Sequence, residues 1–243
     1  FGFLWTMINH KSALANLFKI ARLLILPALF THGLGFAQTA VTPVWDLLSE
    51  DERKVVDSIL EQWKTWVPAR QQEGTAPLMT YEELYAGLSP EQTALLEGIR
   101  KIDPQAAFNF QGGYLGESRE GVEFVKLDDQ WIEKSGERKK LDAQYLPKNV
   151  HEAYERMMQA MQKDLGKRLL VESGYRSPAY QLYTFVFYLP KHRYSLVETG
   201  HWIAIPGYSE HGAPHQQAID LINEQGISGE DRVEDFEELP EYE

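Results

Sequence analysis

The sequence predicts an α+β fold, with a small, mainly antiparallel sheet, helices packed on it, and a small helical unit ahead of it. Three observations carry this expectation. Capped segments of helical period fill residues 44–103, the stretch 104–147 turns glycine-rich and irregular, and short strand-like apolar runs follow at Leu169–Val171 and Ala218–Ile222.

The helical unit opens where Ser49 and Glu52 form a capping box ahead of Val55, Val56, Ile59, Leu60, Trp63 and Val67, a periodic run that Pro68 is expected to close. Thr80 with Glu83 repeats the device. Ser89-Pro90 then opens a further helix with Leu95, Leu96, Ile99 and Ile102 as its apolar positions. Between 104 and 147, Gly112-Gly113, Gly116, Gly121 and Gly136 surround a possible strand, Val122–Leu127, and the rest stays unassigned.

Pro147 leads into a helix with Val150, Tyr154, Met157, Met158, Met161 and Leu165 on one face, stopped at Gly166. The methionine stripe reads as core rather than as a ligand site. Leu169-Leu170-Val171 is a short buried strand broken by Gly174, and Ser177-Pro178 supplies the N-cap and first residue of a helix over YQLYTFVFYL. Ala218–Ile222 alternates like a strand entered from a loop with Gly207, Gly212 and Pro214, which sets Asp220 within an apolar run.

Composition narrows the function. The 243 residues, 43% hydrophobic, suffice for a substantial domain and a smaller companion. Net charge is −12, but 230–243 holds eight acidic residues against Arg232 alone, and this end is expected to be a solvated segment. No basic run with interleaved aromatics appears, so nucleic acid is not an expected partner. The absence of cysteine excludes disulfides, thiolate zinc sites and cysteine nucleophiles, leaving histidine and carboxylates for any metal.

At the N-terminus, Met7 is followed by Lys11, Lys19 and Arg22, then by uncharged Leu23–Ala37 with Gly35-Phe36-Ala37 as a small-x-small site. That is the pattern of a secretory signal peptide. The apolar stretch is short for a bilayer span of about 20 residues, so export with no permanent membrane span after cleavage is the expectation. FGFLWT before Met7 reads as read-through. The expected organisation is therefore 1–37 as read-through plus signal peptide, 38–104 as the N-terminal helical unit, and 105–243 as the domain that carries chemistry.

Two constellations in that domain could do chemistry. In Ser173-Gly174-Tyr175-Arg176-Ser177-Pro178 followed by Gln181, Arg176 would end a strand and Gln181 would lie in the first turn of the next helix, both facing one cleft. Such a guanidinium can grip a carboxylate or stabilise an oxyanion; it can equally cap a turn and pair with a surface acid. In Ser209-Glu210-His211 with Asp220, imidazole and carboxylate suit zinc, or form an ordinary hydrogen bond. His215 lies four residues after His211, but Gly212 and Pro214 oppose a helix and no glutamate follows His211 directly, so an HExxH reading fails.

Taken together, SGYRSPAYQ and the later SEHGAPHQQAIDLI resemble the VanY-type D-alanyl-D-alanine carboxypeptidases, whose pattern reads SGYRS…Q and then SxHxxGxAxD. The lead-in YLPKNVHEAYERMMQAM is similar to the helix preceding the first motif in that family, and the resemblance covers roughly 145–223. It implies the hedgehog/DD-peptidase fold and a Zn2+ ion held by His211 and Asp220. It also implies Arg176 as the catalytic arginine facing substrate and transition state, and Gln181 and Ser209 as substrate-binding residues. Tyr175 and Ser177 match motif positions without an assigned role. The implied activity removes a terminal D-amino acid from peptidoglycan stem peptides, as a D,D- or L,D-carboxypeptidase, in the periplasm or another extracytoplasmic bacterial compartment. A stem-peptide-binding relative without catalysis is the alternative.

Two departures accompany the resemblance. Eight residues separate His211 from Asp220, more than the family pattern has, and Pro214 replaces its glycine, which reads as an enlarged loop enclosing His215. The family's catalytic glutamate and third ligand, a histidine, come from a later ExxH motif, and none follows Asp220. The expectation is therefore a C-terminally incomplete domain of a longer parent, with poor or absent catalysis as it stands.

Overall fold

Three reciprocal capping boxes set the helical unit. Ser49 starts α1 (Glu50–Gln72), Thr80 starts α2 (Tyr81–Tyr85) and Ser89 starts α3 (Pro90–Arg100); each cap oxygen accepts from the N3 amide, and the N3 side chain accepts in return from the cap amide. This computed structural model describes residues 46–229 and 232–242. The expected leader, with Met7 and Gly35-Phe36-Ala37, lies outside them. No helix among the described residues is long and apolar enough to cross a membrane.

Pro68 does not close α1, contrary to expectation. The helix continues to Gln72 because proline removes one intrahelical bond and others hold the last turn. The Glu73 amide donates to the Ala69 carbonyl at 2.9 Å, and Gln71 Nε2 donates to the Tyr180 hydroxyl at 2.9 Å. This extra turn later proves to border the candidate site.

The apolar faces of these helices share one core with the helices downstream. Val56, Ile59, Trp63, Leu84, Leu96 and Ile99 pack with residues of α6 (Pro178–Tyr188) and α7 (Leu196–Trp202), among them Leu182, Phe185, Val186 and Leu196. Trp63 is buried without penalty because its indole N–H donates to the Leu84 carbonyl at 3.0 Å. The helix that carries Gln181 is therefore seated on the helical unit.

The unassigned stretch holds α4 (Pro104–Phe108), β1 (Phe124–Leu127), β2 (Trp131–Lys134), β3 (Glu137–Lys140) and the start of β4 (Gln144–Pro147). Farther on come α5 (Lys148–Leu165), β5 (Leu169–Ser173), β6 (Asp220–Asn223) and α8 (Val233–Glu237). The expected α+β class holds, and its strands pair as three antiparallel ladders, β1 with β4, β2 with β3 and β5 with β6. The β2–β3 hairpin turns through Ser135 and Gly136, both with positive φ, as a two-residue hairpin requires. Every residue of β3 is exposed, so this strand has no alternating apolar signature.

A second core joins Leu146 of β4, Tyr154 and Met158 of α5, and Leu169 and Val171 of β5. Met158 is fully buried and Met161 partly so, but Met157 and Leu165 are exposed, leaving a narrower stripe than the sequence suggests. Gly166 ends α5 in the left-handed conformation, as expected. The acidic end is not simply solvated: Glu241 is buried, with both carboxylate oxygens accepting from Lys167 Nζ at 3.1 Å, and Phe236 packs on the second core. A buried carboxylate persists only with such a partner.

One pH dependence follows from the helical unit. The Tyr85 hydroxyl donates to Glu97 at 2.7 Å, and this bond, with Arg100 beside it, holds the Glu97 carboxyl below its ordinary value against the opposing effect of burial. A depressed carboxylate contributes stability that is present above its unfolded value and is lost as pH falls through the folded one. Thermal unfolding of wild type and Glu97→Gln is thus expected to differ at neutral pH and to converge in acid. A constant difference across that range would contradict the assignment.

Candidate functional site

Strand β5 ends at Ser173, and the chain turns through Gly174, Tyr175 and Arg176 before Ser177 caps α6. The turn is tight because Gly174 lies against β4, where a Cβ would stand 2.5 Å from the Tyr145 carbonyl oxygen. The Gly174 amide donates to Gln144 Oε1 at 3.0 Å and the Tyr175 amide to the Tyr145 carbonyl at 2.6 Å. Tyr175 is buried with its ring 4.3 Å from that of Phe124, and burial pushes its hydroxyl up, with Arg119 opposing. Ser177 Oγ accepts from the Tyr180 amide at 3.1 Å while its own amide donates to the Pro77 carbonyl at 2.8 Å. The two motif positions without a chemical role thus have structural ones.

These contacts present Arg176 in a fixed pose. One terminal nitrogen donates to Gln181 Oε1 at 3.1 Å and the other to Ser173 Oγ at 3.2 Å. Gln181 is 2% exposed, and its amide nitrogen donates to the Ala204 carbonyl at 2.7 Å, which settles the orientation of its oxygen toward Arg176. Both of these side-chain partners are neutral, and Arg176 forms no ion pair among the described residues.

The second constellation is tied to the first through backbone. The Arg176 amide donates to the His211 carbonyl at 2.9 Å, and His211 Nδ1 lies 2.9 Å from the Gly174 carbonyl oxygen. A carbonyl only accepts, so this bond places the proton on Nδ1 and leaves Nε2 directed at Asp220 Oδ2, 3.1 Å away. Asp220 opens β6 opposite Ser173, past an irregularity in the ladder. Ser173 therefore adjoins Asp220 on one side and holds Arg176 on the other.

The remaining candidates are placed differently. Ser209 is buried at the start of the 3-10 turn Glu210–Gly212, where its carbonyl accepts from the Gly212 amide at 3.0 Å. His215 is exposed in the following turn, and no group of three or more histidine, aspartate or glutamate side chains able to hold a metal occurs among the described residues. Reasoning from sequence missed Ser173 as the hinge between the two constellations. The signal available was its place at the head of the SGYRS motif.

Residues 143–241 match the family model described as VanY, D-alanyl-D-alanine carboxypeptidase. This segment is thus similar to the VanY family. No curated protein and no solved structure matches the chain. The expected resemblance over roughly 145–223 is borne out and extends farther toward the C-terminus. Arg176, Gln181, Ser209, His211 and Asp220 all lie within the segment that matches the VanY model, whereas α1, α2 and α3 precede it.

The donor geometry fits two corners of a zinc site. With Nδ1 directed at the Gly174 carbonyl, His211 presents Nε2 to a carboxylate oxygen at 3.1 Å. Two such acceptors need positive charge between them, either a second proton or a cation. Ligands about 2.1 Å from a tetrahedral metal stand about 3.4 Å apart, close to the observed edge. The Gly174 carbonyl behind Nδ1 is the outer partner that orients a metal-binding histidine. The described residues supply these two donors and no third.

Proposed function

We propose that the segment matching the VanY model is built as a zinc-dependent carboxypeptidase that removes a terminal D-amino acid from peptidoglycan stem peptides, in a protein exported from a bacterial cytoplasm. The observation that carries this reading is His211 Nε2 facing Asp220 Oδ2 at 3.1 Å, with Asp220 paired opposite Ser173, the residue that holds Arg176. When bound, zinc would polarise the scissile carbonyl and acidify a bound water. His211 and Asp220 would hold it, with Gly174 fixing the imidazole.

Arg176 is the residue for negative charge, either the terminal carboxylate of the peptide or the oxyanion that develops during attack. Gln181 and Ser173 keep its guanidinium from swinging, so binding need not first order that side chain. Ser209, buried beside His211 in sequence, is assigned to substrate contact. Hydrolysis further requires a base and a third metal ligand.

Zinc binding to the full chain tests the metal half of the reading. His211→Ala and Asp220→Ala are each expected to weaken zinc binding about tenfold or more by calorimetry, since a two-donor site loses half its protein ligands. Zinc binding indifferent to both changes would leave His211 and Asp220 as a structural pair. A second reading, a stem-peptide-binding protein without hydrolysis, is favoured by the two-donor count among the described residues. Release of D-alanine from a stem peptide by the zinc-loaded chain would exclude it.

A further inference from the structure

A continuous row of rings runs along α6 and on to the end of α7. Tyr180 stacks on Tyr183 with centroids 5.7 Å apart and planes 6° from parallel, and Tyr183 stacks on Phe187 at 5.7 Å. Phe187 meets Tyr188 edge-on at 5.7 Å, Tyr188 stacks on His192 at 6.2 Å, and His192 stacks on Trp202 at 6.5 Å with planes 12° apart. The helical period explains the first half, since residues 180, 183 and 187 share one face. The second half crosses between two helices and needs the chain between them to turn back.

That turn is strained. Arg193 and Tyr194 follow His192 with φ of 57° and 59°, two successive non-glycine residues in the left-handed region. The Arg193 amide donates to the Pro190 carbonyl at 3.2 Å, the Tyr194 amide to the Leu189 carbonyl at 2.7 Å and the Leu48 amide to the Tyr194 carbonyl at 3.1 Å, while the Tyr194 hydroxyl donates to Asp57 at 2.6 Å. Strain of this kind persists only where its surroundings over-determine it. Here it sets His192, at the end of the 3-10 turn after α6, against Trp202, the last residue of α7.

One end of the row is open to solvent and the other reaches the cleft. Trp202 is 67% exposed and Phe187 41%, whereas Tyr183 between Phe187 and Tyr180 is buried. Tyr180 lines a cavity of about 250 Å3 beside Arg176, one wall of which is the segment 71–77 at the end of α1 and the turn after it. Gln71 Nε2 donates to the Tyr180 hydroxyl at 2.9 Å, so the ring that starts the row is fixed. The helix rise from Tyr180 to Phe187 is about 10 Å, the span of about three extended peptide residues.

The exposed end combines flat apolar faces with polar edges. Lys191 Nζ lies 3.9 Å from the Tyr188 centroid and 4.5 Å from that of Phe187 and forms no ion pair among the described residues. Glu198 and His201, both exposed, flank Trp202 along α7. A pyranose ring is the complement of such a surface: its faces carry polarised C–H groups that suit the negative face of an aromatic ring, and its hydroxyls stand round the rim. An apolar helix or a lipid surface would instead desolvate the edge groups without pairing them.

We propose that Phe187, Tyr188, His192 and Trp202 form a carbohydrate-stacking surface, which holds the sugar chain bearing a stem peptide while the free end of that peptide reaches Arg176. The proposal rests on the reading of Arg176 given above and makes the substrate a glycan-linked peptide rather than a free one.

Calorimetry on the full chain tests it with three probes: a stem peptide ending in D-Ala-D-Ala, the same peptide on its N-acetylglucosaminyl-N-acetylmuramyl disaccharide, and the tetrasaccharide of β-1,4-linked N-acetylglucosamine. The disaccharide is expected to tighten binding about fivefold, the worth of one good ring contact. Trp202→Ala and Phe187→Ala, both at exposed positions, should each remove most of that gain and leave the Kd of the free peptide and the melting temperature unchanged, and Trp202→Phe should keep part of it. If free and sugar-linked peptides bind alike, the stacking surface is refuted and the Arg176 reading stands. If the tetrasaccharide binds through Trp202 and the free peptide does not bind, the Arg176 reading falls and the stacking surface stands. A gain that survives both alanine substitutions, or binding of none of the probes, overturns the proposal. So does a change from dimer to monomer on Trp202→Ala in sedimentation, which would assign the surface to a second copy of the chain.

Discussion

Arg176→Ala is expected to weaken binding of a peptide ending in D-Ala-D-Ala by about 2–5 kcal/mol, roughly thirtyfold at the least. The size follows from what is lost. A guanidinium already held by Gln181 at 3.1 Å and Ser173 at 3.2 Å pays little ordering cost to receive a carboxylate, so most of the charge-assisted bond appears as affinity. Arg176→Lys keeps the charge but cannot bond both partners in the same plane, and an intermediate loss of about tenfold is expected. Calorimetric titration of the three proteins, with thermal unfolding run beside it, separates this role from a turn-capping one. A cap would lower the melting temperature and leave peptide affinity unchanged.

How far such a site can be read from sequence depends on the range of the interactions that build it. Ser177 was legible as an N-cap because its hydroxyl reaches an amide only three residues away, and Gly166 as a helix stop because its conformation is local. Arg176 and Gln181 were legible as neighbours for the same reason, five residues apart across a strand-to-helix turn. The pairing of His211 with Asp220 rests on contacts of longer range. Strand β6 pairs with β5, and the fold brings His211 to Gly174 across 37 residues of sequence.

What stayed illegible has two physical causes. Strand β3 exposes every residue, so binary patterning had nothing to record, and the hairpin survives on its turn and its ladder with β2. The wall at 71–77 depends on bonds between residues far apart, Gln71 to Tyr180 and Gly74 to Tyr145. Pro68 argued locally for a helix end, and a tertiary contact one turn later outweighed it. Glu241 is the third case. Its composition read as solvated, and only the position of Lys167 makes burial tolerable.

Gly174→Ala is expected to disturb stability and site together, because one residue serves both. A Cβ there would come 2.5 Å from the Tyr145 carbonyl oxygen and 3.1 Å from Leu146 Cδ2; the first is backbone and cannot rotate away. Relief requires β5 and β4 to separate, which strains the Tyr175 amide bond to Tyr145 and the Gly174 amide bond to Gln144. Overpacking of this kind costs about 1–3 kcal/mol, and for a chain of this size each kcal/mol lowers the melting temperature by about 2–4 °C. Gly212→Ala is the control: its Cβ would meet the Arg176 carbonyl oxygen at 3.3 Å, a contact that a few tenths of an ångström relieve. The two variants should part further in zinc affinity. Moving Gly174 shifts the carbonyl that orients His211 and the start of the segment that carries Arg176, and loss of an orienting partner costs about tenfold or more in metal binding. If Gly174→Ala lowers the melting temperature but binds zinc and peptide as wild type does, then the turn through 174–176 supports the fold without setting the geometry of His211 and Arg176.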